Sequence, residues 1–468
     1  MRLNHFQPAP FKLSLPFSKP SKLYPPKRIS TEIAKKLRLS LWAAMGVLLL
    51  QNCQFNTHQA TSKSSDITYI KNGKFHQNGK PLFIKGCNYW YGGYLVSKND
   101  TQSYQRLISE LNFLQKQGIN NLRVMVSSEG DSHYPYRISP SLRPSLDRFN
   151  TEMLYGFDVL LSELHQRNMT AVMVLGNNWE WSGGFGEYLH WHANQHGKPI
   201  LPKTSNWHWD SFSNYLAQFY SCDYCKTNYR ETINRILHRQ NSIDRIPYRE
   251  HPAILSWELA NEPRPMLRPN WDSYVNWIQQ TSAFIHSIDS NHLITIGQEG
   301  LISLFNDPLK FEEIHDLTHI DYATIHIWPK TWNWYNGDSK ASVTDSTLEK
   351  TGLYIQQHAQ ICQKINKPLI IEEFGLHRDG NVFNPESSVH NRNAYYQFVL
   401  NYIKQNKLAG FNFWGGIALP ENVNETGFMT SGSAYSADPP QEEQGLYGVY
   451  KTDSSTWKII RNFNPKVP

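Results

Sequence analysis

The segment "WELANEPRP", Trp257 to Pro265, follows the apolar run "PAIL" and places two carboxylates, an asparagine and an arginine within nine residues. An isolated charge is costly to bury, so a buried strand does not end on an unpaired glutamate without reason. Glu262 is therefore either a solvated strand end or a cleft group whose proton is used. A second acidic pair, Glu372 and Glu373, closes another apolar run, "PLIIEEFG". Two facing carboxylates can divide the breaking of an acetal between them. One stays ionised and attacks, while the other holds a proton for the departing oxygen.

Carboxylates this far apart in sequence meet only if the fold gathers strand ends. Eight apolar runs of strand length recur along the chain, beginning at Leu82, Ile119, Met169, Ala253, His292, Ile320, Pro368 and Ala409. Several are apolar throughout, as in parallel sheets covered on both faces. Amphipathic stretches such as "SYQRLISELNFLQKQG" and "LYGFDVLLSELHQRN" separate them. Eight alternating units predict an α/β fold, a (β/α)8 TIM barrel, over residues 67–468. Before the first unit, "ITYIKNGKFHQNGKPLFIKG" reads as a short N-terminal β-hairpin, because Asn-Gly favours turns with positive φ. The longest interval, between strands three and four, carries an aromatic, glycine-rich insertion from Asn177 to Pro199. Long loops at strand C-termini are where such barrels build sites.

In a barrel every strand's C-terminal end points to one mouth. That arrangement gathers Asn88, Arg123, Asn177, Asn178, Asn261, Glu262, His326, Glu373 and Trp414. Two glutamates serve as controls. Glu258 shares the strand parity of Glu262 but lies four residues deeper, about 13 Å by strand rise, and reads as a satisfied interior group. Glu372 precedes Glu373, and alternation turns it to the other face.

The composition excludes some partners. Residues 1–63 hold ten Lys/Arg and one acid, for +9; with a formal charge of +6 on the whole chain, the remainder carries −3. A body of that charge has no basic face for a phosphate backbone, so no nucleic acid is expected. The 15 Trp and 25 Tyr offer faces on which sugar rings stack. The leader resembles an export signal: "KKLR" at Lys35 precedes a twelve-residue uncharged run, Leu39 to Leu50, too short to span a bilayer. Cys53 then stands where a lipoprotein signal places its acylated cysteine, although Asn52 departs from the small residue usual before it; ordinary cleavage near Ala60 is the alternative. The chain thus divides into a proline-rich extension (1–34), the export segment (35–60), a linker (61–66) and the barrel (67–468). It is expected to be secreted or a cell-surface or outer-membrane lipoprotein, and a monomer. "CDYC", Cys222 to Cys225, has metal-ligand spacing but no second pair to answer it, which leaves a local disulfide or two free thiols. His190 and His192 lack an acidic ligand cluster, and no phosphate loop or GxSxG elbow occurs. No metal or cofactor is expected.

Four motifs in this strand order, "WELANEPR", "IHIW", "IIEEFG" and "FWGG", resemble glycoside hydrolase family 5. The loop "NNWEWSGG", with "GCNYWYGG", "GQEG" and "DPPQEEQGLYGVY", is similar to the family's endo-β-1,4-mannanase branch. The resemblance covers roughly residues 67–468. It implies that Glu262 is the acid/base and Glu373 the nucleophile of a retaining double displacement on β-mannan or manno-oligosaccharides. It implies that Asn261 holds the 2-hydroxyl, Arg123 keeps Glu373 ionised, His326 orients the acid/base and lines the site, and Trp414 forms the sugar's floor. Trp90, Asn178 and Trp179 are the corresponding substrate-contact positions. Trp328 stands where many members have tyrosine, and its indole can donate a hydrogen bond but not accept one. Two alternatives remain: another family 5 β-glycanase or β-mannosidase, separated by how open the cleft is, and a non-catalytic glycan-binding protein. Retention of both glutamates, Asn261 and Arg123 argues against the last.

Overall fold

The computed structural model describes residues 66–130, 136–193, 208–337, 345–423, 427–429 and 433–465. The extension, the export segment with Cys53, all of the linker but Asp66, and the last part of the Asn177–Pro199 insertion lie outside these residues.

Three short strands open the fold: β1 (Tyr69–Lys71), β2 (Lys74–Gln77) and β3 (Lys80–Pro81), paired antiparallel in the order β1-β2-β3. Both Asn-Gly pairs are two-residue turns with positive φ: Asn72 and Gly73 at 53° and 68°, Asn78 and Gly79 at 53° and 74°. The second Asn-Gly adds a strand, so the expected hairpin is a three-stranded meander.

Eight parallel strands follow: β4 (Ile84–Asn88), β5 (Asn121–Met125), β6 (Thr170–Val174), β7 (Ile254–Glu258), β8 (Leu293–Thr295), β9 (Ala323–Ile327), β10 (Leu369–Phe374) and β11 (Gly410–Phe413). Their order is β8-β7-β6-β5-β4-β11-β10-β9, and all eight lie inside the runs read from sequence. The Asp321 amide bonds the Ile294 carbonyl at 2.9 Å and links the two ends of that order. Every residue of these strands is buried, because helices cover the outside and side chains fill the inside. The helix Thr101–Lys116 is typical of the cover. Asp100 caps it by accepting the Ser103 amide at 2.8 Å, and Leu107, Leu111 and Leu114 form its buried stripe.

The barrel interior changes character along its axis. At one end Ile84, Val172, Leu255, Leu293, Tyr322 and Ile370 pack into an apolar plug, and Phe75 from β2 closes it, edge-on to Tyr322 at 5.3 Å. Toward the other end the interior turns polar, with Arg123, Glu258 and Glu372 all buried. The interval from Val174 to Ile254 holds the helices Gly184–Ala193, Trp209–Leu216 and Asp223–Leu237. Cys222 and Cys225 are joined as a disulfide at the start of the last of these. After β11, a two-stranded parallel sheet of β12 (Ile417–Ala418) and β13 (Val449–Tyr450) carries the segment around Asp438. The Asp438 carboxylate fixes that segment by accepting the amides of Gly445, Tyr447 and Gly448.

Candidate active site

Glu373 lies within strand β10, so its position is set by the sheet ladder. Arg123, from β5, donates to Glu373, to Asn88 at 3.1 Å, to Asn261 at 2.8 Å, and to Glu258 through two nitrogens at 2.5 and 2.9 Å. A buried guanidinium has five donors in a rigid fork, and here they tie four side chains together. The Trp328 indole N–H also donates to Glu373, at 3.2 Å.

The sequence placed Glu372 on the opposite face. The ladder shows why it is not: the β9–β10 register shifts between Ile371 and Glu373, and Glu372 is the extra residue. A bulge suspends alternation, so consecutive side chains can both turn inward. Glu372 lies 3.7 Å from both Arg123 Nε and His326 Nε2, beyond hydrogen-bond length, and its oxygens have no hydrogen-bond partner. Glu258 is the satisfied interior group expected, fully buried with both oxygens bonded by Arg123. Strand β7 ends at Glu258, and the chain then turns, with Glu262 in the left-handed region at φ 51°. Glu258 thus sits one guanidinium away from Glu373. Burial pushes it up to about 8 even though Arg123 pulls the other way.

Glu262 is held from two sides. His326 Nδ1 lies 2.8 Å from one oxygen, and the Trp179 indole N–H donates to the other at 2.6 Å. Burial pushes its carboxyl up, but the hydrogen bond and charge of His326, the Arg264 guanidinium and the Trp179 N–H outweigh it and hold the group at about 2. His326 Nδ1 is also 3.2 Å from Glu373. Burial disfavours a charged imidazole, yet the surrounding carboxylates raise His326 well above its ordinary range, so the ring is cationic at neutral pH. One oxygen of Glu262, one of Glu373 and a nitrogen of His326 all lie within 4.8 Å of one another.

A cavity of about 460 Å³ includes Glu262 and Glu373 in its lining; its aromatic wall is Trp179, Trp181, Trp209, Phe212, Trp328, Trp332, Trp414 and Tyr447, and Asn261, Arg264, Glu299, Glu180, Gln441 and Glu442 are its other charged and amide groups. Asn261 spends its oxygen on Arg123 and one amide hydrogen on Asn177 at 3.1 Å, which leaves a second hydrogen for a ligand. Three expected contact residues are off the wall. Trp90 is buried, its N–H donating to the Ala437 carbonyl at 3.0 Å, and it packs edge-on to Trp181 at 5.7 Å. Asn178 is buried, with its amide nitrogen 3.9 Å from the Met266 sulfur. His326 is fully buried beneath the two carboxylates.

Sequence reasoning missed Arg264, Glu299, Trp181, Trp209 and Phe212 as wall residues. Arg264 pairs with Glu299 through two bonds of 2.5 and 2.6 Å. The signal lay in "NEPRP" and "GQEG", but nothing local says that the two loops touch. A second cluster that could hold a metal ion, His165, Asp244 and His251, lies elsewhere in the fold. There the Ala253 amide donates to His251 Nδ1, so Nε2 carries the hydrogen and donates to Asp244 at 3.0 Å. That nitrogen is a donor and not a ligand.

A family model described as "GH family 5 beta-mannosidase-like" matches residues 65–468. A glycoside hydrolase family 5 mannosidase from Rhizomucor miehei superposes with TM-score 0.78 at 30% identity, covering 86% of this chain and 98% of that one. Among curated proteins, mannan endo-1,4-beta-mannosidase 4 of Solanum lycopersicum is 26% identical over 80% of this chain and 88% of its own length. Mannan endo-1,4-beta-mannosidase 1 of Arabidopsis thaliana is 28% identical over 77% and 84%. An endo-1,4-beta-mannanase from Rhizomucor miehei, at 22% identity and TM-score 0.61, shares the fold. With its barrel, its carboxylate pair and a match spanning nearly the whole described chain, this protein belongs to glycoside hydrolase family 5 and is a glycoside hydrolase.

Proposed function

We propose that the enzyme hydrolyses β-1,4-mannosidic bonds within mannan chains, with retention of anomeric configuration. The convergence of Glu262 and Glu373 on one nitrogen of His326, at 2.8 and 3.2 Å, carries this reading. Retaining enzymes hold their carboxyl groups about 5–5.5 Å apart, whereas inverting ones leave room for a water at about 6.5–9.5 Å. The curated relatives, named as mannan endo-1,4-beta-mannosidases, supply the substrate and the internal mode of cutting.

Glu373, hydrogen-bonded by Arg123, attacks the anomeric carbon as the bond to the departing oxygen breaks and Glu262 protonates that oxygen. Glu262 then takes a proton from the water that displaces Glu373. As the site stands Glu262 is anionic, which suits the second step. For the first step the proton at hand is the one on His326 Nδ1, 2.8 Å away. A sugar laid against Glu262 excludes water and raises its proton affinity, so the His326–Glu262 pair acts as one acid. Asn261 holds the 2-hydroxyl and Trp414 the sugar's face. The leader and Cys53 support a secreted or membrane-anchored enzyme.

A second reading, trimming from chain ends, is favoured by one observation. Beside Asn261 and Trp414 the space is filled by Trp181 and Trp90, leaving a void of only about 10 Å³ among them. A chain end would stop there.

The test is reducing-end release by the 61–468 fragment on β-mannan, galactomannan, cellulose and xylan, with product sizing and Glu373→Ala alongside. Activity on the mannans with oligomeric products and a fast fall in viscosity supports internal cutting. Mannose as the sole early product supports trimming. Preference for cellulose or xylan overturns the substrate.

A further inference from the structure

Glu372 is a buried carboxyl group to which the two-step mechanism gives no task. It is fully buried, and neither of its oxygens has a hydrogen-bond partner. Such a group costs free energy that an apolar side chain in its place would avoid. The bulge in β10 is what turns it inward, where plain alternation would have turned it out. Bulges beside sites re-aim side chains, and local rules are broken most often where function gains from it.

The surroundings of Glu372 show what it can do. One oxygen, Oε2, lies 3.7 Å from Arg123 Nε and 3.7 Å from His326 Nε2. The Arg123 nitrogen is already bonded to Glu258, at 2.9 Å. The His326 nitrogen is buried and has no hydrogen-bond partner. On the other edge of that ring, Nδ1 meets Glu262 at 2.8 Å and Glu373 at 3.2 Å. The imidazole therefore bridges two levels of carboxyl groups, one lining the cavity and one beneath it. The other charged groups around the ring are Arg123, Glu258 at the end of β7, Glu299, whose backbone carbonyl accepts the His326 amide at 3.0 Å, and Arg264, which is paired with Glu299. Among the described residues, none of these brings a carboxyl as near to Nε2 as Glu372 does. A cationic imidazole carries hydrogen on both nitrogens, and a carboxylate facing the second one favours that form. Burial disfavours the charged ring, but Glu373, Glu262 and Glu372 together outweigh it.

We propose that Glu372 is a positioning residue for the proton donor: from beneath the site it holds the hydrogen on Nε2 of His326, and so keeps the ring charged with its Nδ1 hydrogen turned to Glu262. Glu372 acts through His326 and is not part of the cavity lining. The inference rests on the His326–Glu262 pair acting as the acid of the proposed reaction.

The test reads that hydrogen directly. Enzyme carrying isotope-labelled histidine is titrated by NMR, the His326 signals being those missing in His326→Asn. In Glu372→Gln the ring should titrate lower than in the parent by about one pH unit or more, and the alkaline limb of kcat/KM on mannotriose should move down with it. Glu372→Asp, which keeps the charge, should lie nearer the parent. A titration unmoved in Glu372→Gln, or moved equally in Glu372→Asp, would overturn the proposal. Should Glu372→Gln fail to fold, the parent decides at about pH 8, above the ordinary histidine range. Hydrogen on Nε2 there supports the proposal, and a bare Nε2 overturns it. A parent inert on mannotriose would instead sink the mannosidase reading, while the titration still judges Glu372.

Discussion

The two halves of the site are built by different means. Glu373 belongs to a barrel strand, and Arg123 beneath it belongs to another, so the ladder fixes both. Glu262 lies four residues beyond its strand on left-handed backbone, and its partners come from elsewhere: Trp179 from the long insertion, His326 from β9, and Arg264 pinned to Glu299 after β8. The proposed nucleophile is placed by the scaffold, and the proposed proton donor by one strand residue, His326, together with loop residues. Scaffold placement gives a fixed position for attack. Loop placement gives a group whose proton affinity can follow what covers it.

The sharpest way to break this contrast is to remove each carboxylate. Glu373→Ala should lose at least roughly 10⁴-fold in kcat on every mannoside. Glu262→Ala should lose roughly 10²–10⁴-fold in kcat/KM on mannotriose but little in kcat/KM on a 2,4-dinitrophenyl mannoside, whose leaving group needs no proton, while kcat falls on both because the base for the second step is gone. Steady-state rates on the two substrates check both; equal losses on the activated substrate would erase the distinction.

Arg123→Met attacks the scaffold half. It leaves Glu258, Glu372 and Glu373 without their cation, and breaking such a buried pair costs about 3–5 kcal/mol. Urea melts should show that loss. His326→Asn attacks the other half. His326 is raised, so its proton is present at low pH and lost as pH rises through its elevated value; that loss forms the alkaline limb of kcat/KM. Without the imidazole, Glu262 must hold the proton alone, and the limb should move to lower pH. A limb that stays put would remove His326 from the acid.

The smallest effect concerns the insertion that carries Trp179. Buried Glu129 accepts the Gly184 amide and the Tyr188 hydroxyl, both at 3.0 Å, and burial raises it from 4.5 to about 7. Between those values the folded state binds more protons than the unfolded one, so stability falls as pH rises through that window. Glu129→Gln should flatten that slope in melts taken from pH 4.5 to 7.

The barrel was legible because its strands are short apolar runs in regular alternation with helices, and Glu262 and Glu373 because each follows such a run. What stayed hidden depends on departures from regularity. The bulge at Glu372 turned inward a carboxylate that alternation had turned away. Trp209 and Phe212 carry no local signal, because they join the cavity lining only through the packing of the helix Trp209–Leu216 against Trp179. Trp90 and Asn178 are buried, and their sequence neighbourhoods do not show that Trp181 and Trp179 line the cavity near them.

The central claim is that Glu373 forms a covalent bond to the sugar while Glu262 handles the proton. Incubation with 2-deoxy-2-fluoro-β-mannosyl fluoride, followed by peptide mass mapping, tests it directly. The account predicts time-dependent inactivation and one sugar adduct on the peptide containing Glu373. Turnover of mannotriose without any adduct, or an adduct on another residue, would contradict it.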